Sequence, residues 1–460
     1  MSHVFSRRFA PVLFSAVLLA GCGGGGSSDG DDDETPPPPA PTYQQSADDA
    51  YTYLLPLVEI SATRKAALDG LIQNPNVFLH VSTLADASSK AVTTPNTDTL
   101  YSSAFLLLAD GPVQIDIPDS GDRYFSLSLL DFYTNNIAVR GTRVDGGAAK
   151  SFWVVGPQWS GTAPSGIEVI RSPTNSAWAL GRTYVRDQAD VDAAADVQKQ
   201  LVATATAGSS APASLSIAVP ANTDWEALFA YADQLMVENP VSAGSAAAAL
   251  TALGLGSGTF NAAALSSTQK TDLEAGAGAA YQRATAAAQG GAVVQGWVYP
   301  QSNLGNFGGD FAYRAGVAIG GLGALPVQEA LYINGAGDAA TPQRYDGSAH
   351  RYSLTFPAGM LPPSGAFWSL TLYEPDADGS LFFYDNPQNR YAIGSGSPGL
   401  SHASDGSLTL QIQHEDPASG EVDLNWLPAP SGPFALILRV YLPGSTLVDG
   451  SYKLPALVTQ

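Results

Sequence analysis

The chain is poor in cysteine, histidine and positive charge, and each shortage removes a class of function. One Cys in 460 residues excludes an internal disulfide, a cysteine zinc cage and a Cys-x-x-Cys redox pair. Five His are scattered without a His-Glu-x-x-His pattern, so neither a metal nor a cofactor is expected. Lys and Arg number 21 against 42 Asp and Glu, a formal charge of −21. Binding a phosphate backbone needs a basic face, so nucleic acid is excluded as a partner. Long apolar runs are also missing: the best, Phe9 to Ala20, is broken by Pro11 and Ser15 and is too short to span a bilayer. A 45% hydrophobic content is nevertheless enough for sizeable cores, and the length suits two medium domains rather than one.

The amino-terminal residues point to export. Arg7 and Arg8 precede the short apolar run, which ends in Leu19-Ala20-Gly21-Cys22. That order of charged, apolar and small residues reads as a signal peptide over 1–21, with Cys22, the sole thiol, at the position that accepts lipid in a bacterial lipobox. Gly23 in place of Asp favours the outer membrane, so the expected location is the bacterial cell envelope, tethered to the membrane through Cys22. Residues 22–44, GGGGSSDGDDDETPPPPAPT at their centre, cannot bury apolar surface and read as a solvated tether. Folding is expected to begin near Ser46, where Ser46 and Asp49 resemble a helix cap.

Residues 45–205 change to short alternating runs: Val113 to Ile117, Phe125 to Leu129, Phe152 to Val155, Gly166 to Ile170 and Ala177 to Leu180. A helix from Ala189 to Ala203 closes this block. Residues 206–300 are Ala-rich and helical by propensity, a stripe suited to close helix packing. Residues 301–460 return to strands, at Glu329 to Ile333, Tyr352 to Phe356, Phe367 to Tyr373, Leu408 to Gln413 and Phe434 to Tyr441. The pattern predicts a β-rich α+β protein: two antiparallel β-sandwich or jelly-roll-like domains joined by a helical segment. One internal echo links the blocks. Ile115-Asp116-Ile117-Pro118, a turn and Tyr124-Phe125-Ser126-Leu127-Ser128-Leu129 resembles Leu354-Thr355-Phe356-Pro357, a turn and Phe367-Trp368-Ser369-Leu370-Thr371-Leu372.

Several motif matches carry no chemistry. Gly-x-Ser-x-Gly occurs only at Gly26 to Gly30, inside the tether, and Gly394 to Gly399 lacks the helix that a dinucleotide fingerprint requires. What remains is polar clusters at strand ends. Asp98, Asp131, Arg182 and Arg390 are the candidate catalytic residues, a carboxylate serving as base while a guanidinium steadies an anion. Asn96, Tyr101, Tyr133, Asn135, Trp368, Tyr373 and Asn389 are candidates for ligand binding. The bland alternative is that Asx turns and buried Arg–Asp pairs hold loops on the sandwiches.

PNTDTLYSSAFLLL, RYFSLSLLDFYTNN and SPTNSAWALGRTYV resemble the domain of unknown function 1254. RYSLTFPAGMLPPSGAFWSLTLYEPDADG, NPQNRYAIG, SLTLQIQH and NWLPAPSGPFALILRVYLP resemble its companion, domain of unknown function 1214. The resemblance implies a β-rich, often exported, two-domain protein. Val77 stands where relatives often carry a His, and Ser395-Gly396-Ser397 where charge is common, so any role of those positions is missing here. Two functions follow as expectations. The first is binding of a small polar or carbohydrate-like ligand, or of an envelope partner, between the β domains; oligomers are compatible with it. The second is a hydrolase or lyase for a small or carbohydrate substrate, in which Asp98, Asp131, Arg182 and Arg390 converge on one pocket.

Overall fold

A computed structural model describes residues 40–460, apart from 73, 222–223, 241–243, 245, 339–340 and 419–422. The leader, Cys22 and most of the tether lie outside the described residues. The first helix, α1 (Tyr43–Asp69), starts earlier than the Ser46 cap suggests. Thr42-Tyr43-Gln44-Gln45 is the real capping box: Gln45 N–H donates to the Thr42 hydroxyl, and Thr42 N–H donates to the Gln45 side chain. Ser46 is buried inside the helix.

The first sandwich contains β1 (Leu79–Val81), β2 (Thr99–Leu107), β3 (Val113–Ile117), β4 (Phe125–Asp131), β5 (Asn136–Gly141), β6 (Lys150–Val155), β7 (Glu168–Arg171), β8 (Ser176–Tyr184) and β9 (Val202–Ala205). One sheet runs β1-β2-β8-β4-β5 and the other β7-β6-β3-β9. Period-two alternation fills the space between them: Phe125, Leu127 and Leu129 of β4 meet Val113, Ile115 and Ile117 of β3 and Phe152 and Val154 of β6. The expected 189–203 helix is shorter, Val191–Gln198. Its last residues become β9, which pairs with the open edge of β3, so ladder bonding overrides the helical propensity of the alanines.

The helical layer packs on one half of the outer face of β1-β2-β8-β4-β5. It consists of α1, α2 (Trp225–Glu238), α3 (Ser267–Gln289) and α4 (Phe311–Gly320), with shorter turns between. The alanine-rich stripe is internal: Leu273, Gly276, Ala277, Ala280 and Ala284 of α3 are buried against α1 and α4. Among the described residues no helix is long and apolar enough to cross a membrane.

Nine strands of the second sandwich correspond to the nine of the first: β10 (Trp297–Tyr299), β11 (Ala330–Gly335), β12 (Tyr352–Phe356), β13 (Ser364–Pro375), β14 (Leu381–Phe383), β15 (Leu408–Gln413), β16 (Trp426–Pro428), β17 (Pro433–Pro443) and β18 (Val458–Thr459). The short strands Ala292–Val294, Tyr345–Asp346 and Ala392–Gly394 extend its larger sheet without a counterpart. One sheet contains β10-β11-β17-β13-β14 in that order and the other β16-β15-β12-β18. Adding nine to each strand number of the first sandwich reproduces the second, including the one parallel pair in each: β6 with β7, and β15 with β16. That parallel pair departs from the purely antiparallel expectation. Trp368, Leu370 and Leu372 of β13 and Leu436, Leu438 and Val440 of β17 form the second core with Leu354, Phe356, Leu408, Leu410 and Ile412.

The molecule is therefore a stack. Each sandwich turns one sheet outward and one inward, and the two inward sheets face each other where the helical layer leaves the first uncovered.

A duplicated polar face between the sandwiches

The residues that alternate out of the two cores meet in the middle of the stack. On the first inward sheet, Tyr101 of β2 lies beside Arg182 of β8, which lies beside Ser126 of β4. On the second, Tyr332 of β11 lies beside Arg439 of β17, which lies beside Ser369 of β13. The repetition extends along each strand. Asp98 stands three residues before Tyr101 and Glu329 three before Tyr332; Tyr184 follows Arg182 by two and Tyr441 follows Arg439 by two. The short repeats Asp-Thr-Leu-Tyr/Glu-Ala-Leu-Tyr and Arg-Thr-Tyr/Arg-Val-Tyr complete the echo first seen around Ser126 and Ser369.

Aromatic rings close one side of this face. Phe367 stacks on Tyr184 at 3.9 Å and on Tyr441 at 4.3 Å, and Tyr124 meets Tyr441 edge-on at 5.2 Å. The other side is closed by residues 93–98, which leave the first sandwich and lie along the second. Thr94 N–H donates to Leu381 O at 2.7 Å, and the Tyr373 hydroxyl donates to Pro95 O at 2.6 Å. Gly323 completes the wall at the helical layer. Its φ of +85° and its approach to Leu180 and Trp178, where a Cβ would lie 3.1–3.3 Å away, suit glycine and aim its carbonyl at Arg182. Asp98, Tyr101 and Tyr332 remain only half-buried although protein surrounds all three.

The two rows differ in how their polar groups are satisfied. Arg439 donates to Thr371 Oγ1 at 2.9 Å and to Thr94 O at 3.2 Å, and Asp98 acts on it through space. Asp98 in turn accepts from the Ser369 hydroxyl at 2.5 Å. Arg182 is 5% exposed and donates once, to Gly323 O at 2.9 Å. Its Nε and Nη1 have no hydrogen-bond partner among the described residues, and the Ser126 hydroxyl has only the Tyr124 phenol beside it. The Asp98 counterpart, Glu329, is drawn aside: it accepts from Tyr124 at 3.0 Å and from Arg143 at the rim.

The field of the guanidinium groups divides the phenols. Burial opposes ionisation of Tyr101, but Arg182, Thr99, Arg439 and Asn96 together bring its pKa below the ordinary tyrosine value. Asn96 Nδ2 donates to both the Tyr101 and Tyr441 hydroxyls, at 3.3 and 2.9 Å. Burial moves Tyr332, Tyr124 and Tyr441 upward, and Tyr373 to about 12. Burial also raises the carboxyl groups of Asp98 and Glu329.

Of the residues singled out in the sequence, the structure places Asp98, Arg182, Asn96, Tyr101 and Tyr373 on this interface. The four-residue convergence does not occur. Asp131 ends β4 far from Arg182 and works as a turn former, accepting from Tyr133 N, Asn135 N and Asn135 Nδ2 at 2.8–3.0 Å. With Tyr133 and Asn135 it lines a separate crevice of about 210 Å³ under the helical layer, where Arg314 lies 4.7 Å from the Tyr53 ring and 4.8 Å from Phe311. Arg390 donates to Asp423 O and Trp426 O, both at 2.8 Å, and pins a loop of the second sandwich. Asn389, at φ +49°, accepts from Tyr391 in the same turn. Trp368 is core. Arg439, Tyr332, Tyr441, Ser126 and Glu329 belong to the face and were not singled out; the repeated Leu-Tyr and Arg-x-Tyr pairs are the signal that marks them.

Two duplicated sandwiches with their polar faces opposed define a two-domain β protein with an interior interface site. Residues 75–205 match the family described as protein of unknown function (DUF1254), and residues 329–445 that described as protein of unknown function (DUF1214). Together these span more than half of the chain, in that order. The fold is similar to the crystal structure of the VPA0106 protein from Vibrio parahaemolyticus, with a TM-score of 0.67 and 21% identity over 91% of this chain and 100% of that one. An uncharacterised protein from Burkholderia cenocepacia aligns at a TM-score of 0.42 and 11% identity, over 91% of this chain and 93% of that one. No curated protein matches the chain.

Proposed function

We propose that the chain is an envelope protein, anchored through lipid on Cys22, that binds a small polar molecule carrying a carboxylate between its two sandwiches. The observation that carries the binding reading is the unequal treatment of equivalent groups. Arg439 and Ser369 have Asp98 beside them, whereas Arg182 Nε and Nη1 are buried without hydrogen-bond partners among the described residues. A buried donor left unmade costs about 1–3 kcal/mol, more when charged. A ligand carboxylate at Arg182 and Ser126 would take the place that Asp98 takes in the other row. The surrounding phenols supply apolar walls with polar tips, the kind of surface that suits a hydroxylated acid such as a sugar acid.

Thermal unfolding and titration calorimetry with glucuronate, lactate and malonate test this. At a hundred times its dissociation constant a ligand adds about 2.7 kcal/mol of stability. Arg182→Met should abolish that gain, and a gain that survives Arg182→Met places the ligand elsewhere. The anchor is tested separately: Cys22→Ser should release the protein from the membrane fraction, and retention there would overturn the lipid assignment.

A further inference from the structure

Resting on that anion-binding reading, we infer that the interface is also a proton-transfer site: Tyr101 removes the proton from the carbon next to the bound carboxylate, and Tyr332 returns one. The substrate class is a carboxylic acid with a hydrogen on that carbon, a uronic or 2-hydroxy acid. The duplication brings the two phenols to corresponding places on opposed sheets, one beside each buried guanidinium. Tyr101 lies with its ring 5.6 Å from the Arg182 guanidinium, so a carboxylate on the free Nε and Nη1 lies beside this phenol. Both tyrosines are half-buried rather than fully buried.

The charges around them set opposite tendencies. The groups facing Tyr101 are Arg182 on β8, Arg439 and Tyr441 on β17, Tyr332 on β11 and the Asn96 amide. Among the tyrosines with a resolved shift, Tyr101 moves toward the phenolate and Tyr332 stays a phenol. A pair whose environments push ionisation in opposite directions is the usual arrangement for a base and an acid. In the step itself, the carbon–hydrogen bond breaks and its proton forms an O–H bond on Tyr101. The electron pair stays with the substrate and spreads into the carboxylate, where Arg182 balances the added negative charge. Return of a proton from Tyr332, on the opposed sheet, gives the acid inverted at that carbon; Tyr101 then loses a proton to water and Tyr332 takes one from it, so no oxidant or co-reactant is consumed.

The test uses the full chain in deuterium oxide with glucuronate, following the H5 signal by proton NMR beside calorimetric binding. The expected result is exchange of H5 for deuterium by the wild type. Tyr101→Phe should still bind glucuronate and exchange it about 100-fold more slowly or worse. Replacing Tyr101 by a fluorotyrosine, which barely alters shape, should move the pH midpoint of exchange downward. Binding without exchange in the wild type, undiminished exchange in Tyr101→Phe, or an unmoved midpoint overturns the proton-transfer assignment and leaves the binding site standing. Failure of glucuronate, lactate and malonate all to bind removes the binding reading and this inference with it.

Discussion

Arg182 and Arg439 occupy equivalent places in two copies of one sandwich, yet they live in different chemical settings. Arg439 is held by two hydrogen bonds and faces Asp98; Arg182 is held by one and faces mainly tyrosines. Duplication supplies two arginines at one interface, and the loops decide what each is for. The 93–98 segment of the first sandwich reaches the second and satisfies its arginine. The corresponding acid, Glu329, is hydrogen-bonded by Arg143 and Tyr124 and acts on Arg182 only through space. On the binding proposal, Arg439 is structural and Arg182 is the one that meets a ligand.

The strongest way to break this comparison is to remove each arginine in turn. Arg439→Met strands Asp98 and the Thr94 carbonyl and should cost about 3 kcal/mol, read as a lower denaturation midpoint. Arg182→Met removes a charge that is already short of partners, so the unliganded protein should change by less than about 1 kcal/mol, or gain stability. Equal losses from both would erase the distinction. A second manipulation should convert one row toward the other. Arg143→Ala frees Glu329 to turn to Arg182 and compete with the ligand, and carboxylate affinity should fall about tenfold, or 1.4 kcal/mol, by calorimetry. Unchanged affinity would mean that Arg143 does not control Glu329. The smallest effect belongs to the serines. Ser369→Ala leaves Asp98 without its 2.5 Å donor and should cost about 1 kcal/mol, whereas Ser126→Ala should be close to neutral until ligand is added.

Much of the fold is legible in the sequence because each strand alternates cleanly and each sandwich has a single apolar face. Val113 to Ile117 and Tyr352 to Phe356 are strands with those very bounds. The helix expected up to Ala203 is not legible, since β9 exists only because β3 offers it an edge. The site is legible in part. Asp98, Tyr101 and Arg182 stand out as polar residues at strand positions, but polarity does not say which end of a strand faces which neighbour. Asp131 is on the same strand as Ser126, and five residues at 3.3 Å each carry it roughly 17 Å away. Arg439 and Tyr332 escape notice because their signal is two or three residues long and gains meaning only when both copies are aligned by strand order.

The 93–98 segment makes the second sandwich lean on the first. Because Thr94, Pro95 and Asp98 complete the polar side of the second sandwich, that sandwich no longer carries within itself all that its own arginine requires. Cut away from the first, the second sandwich would keep Thr371 as the one side-chain acceptor of Arg439 and lose the Thr94 carbonyl and the Asp98 charge, so it is a poor candidate for expression alone.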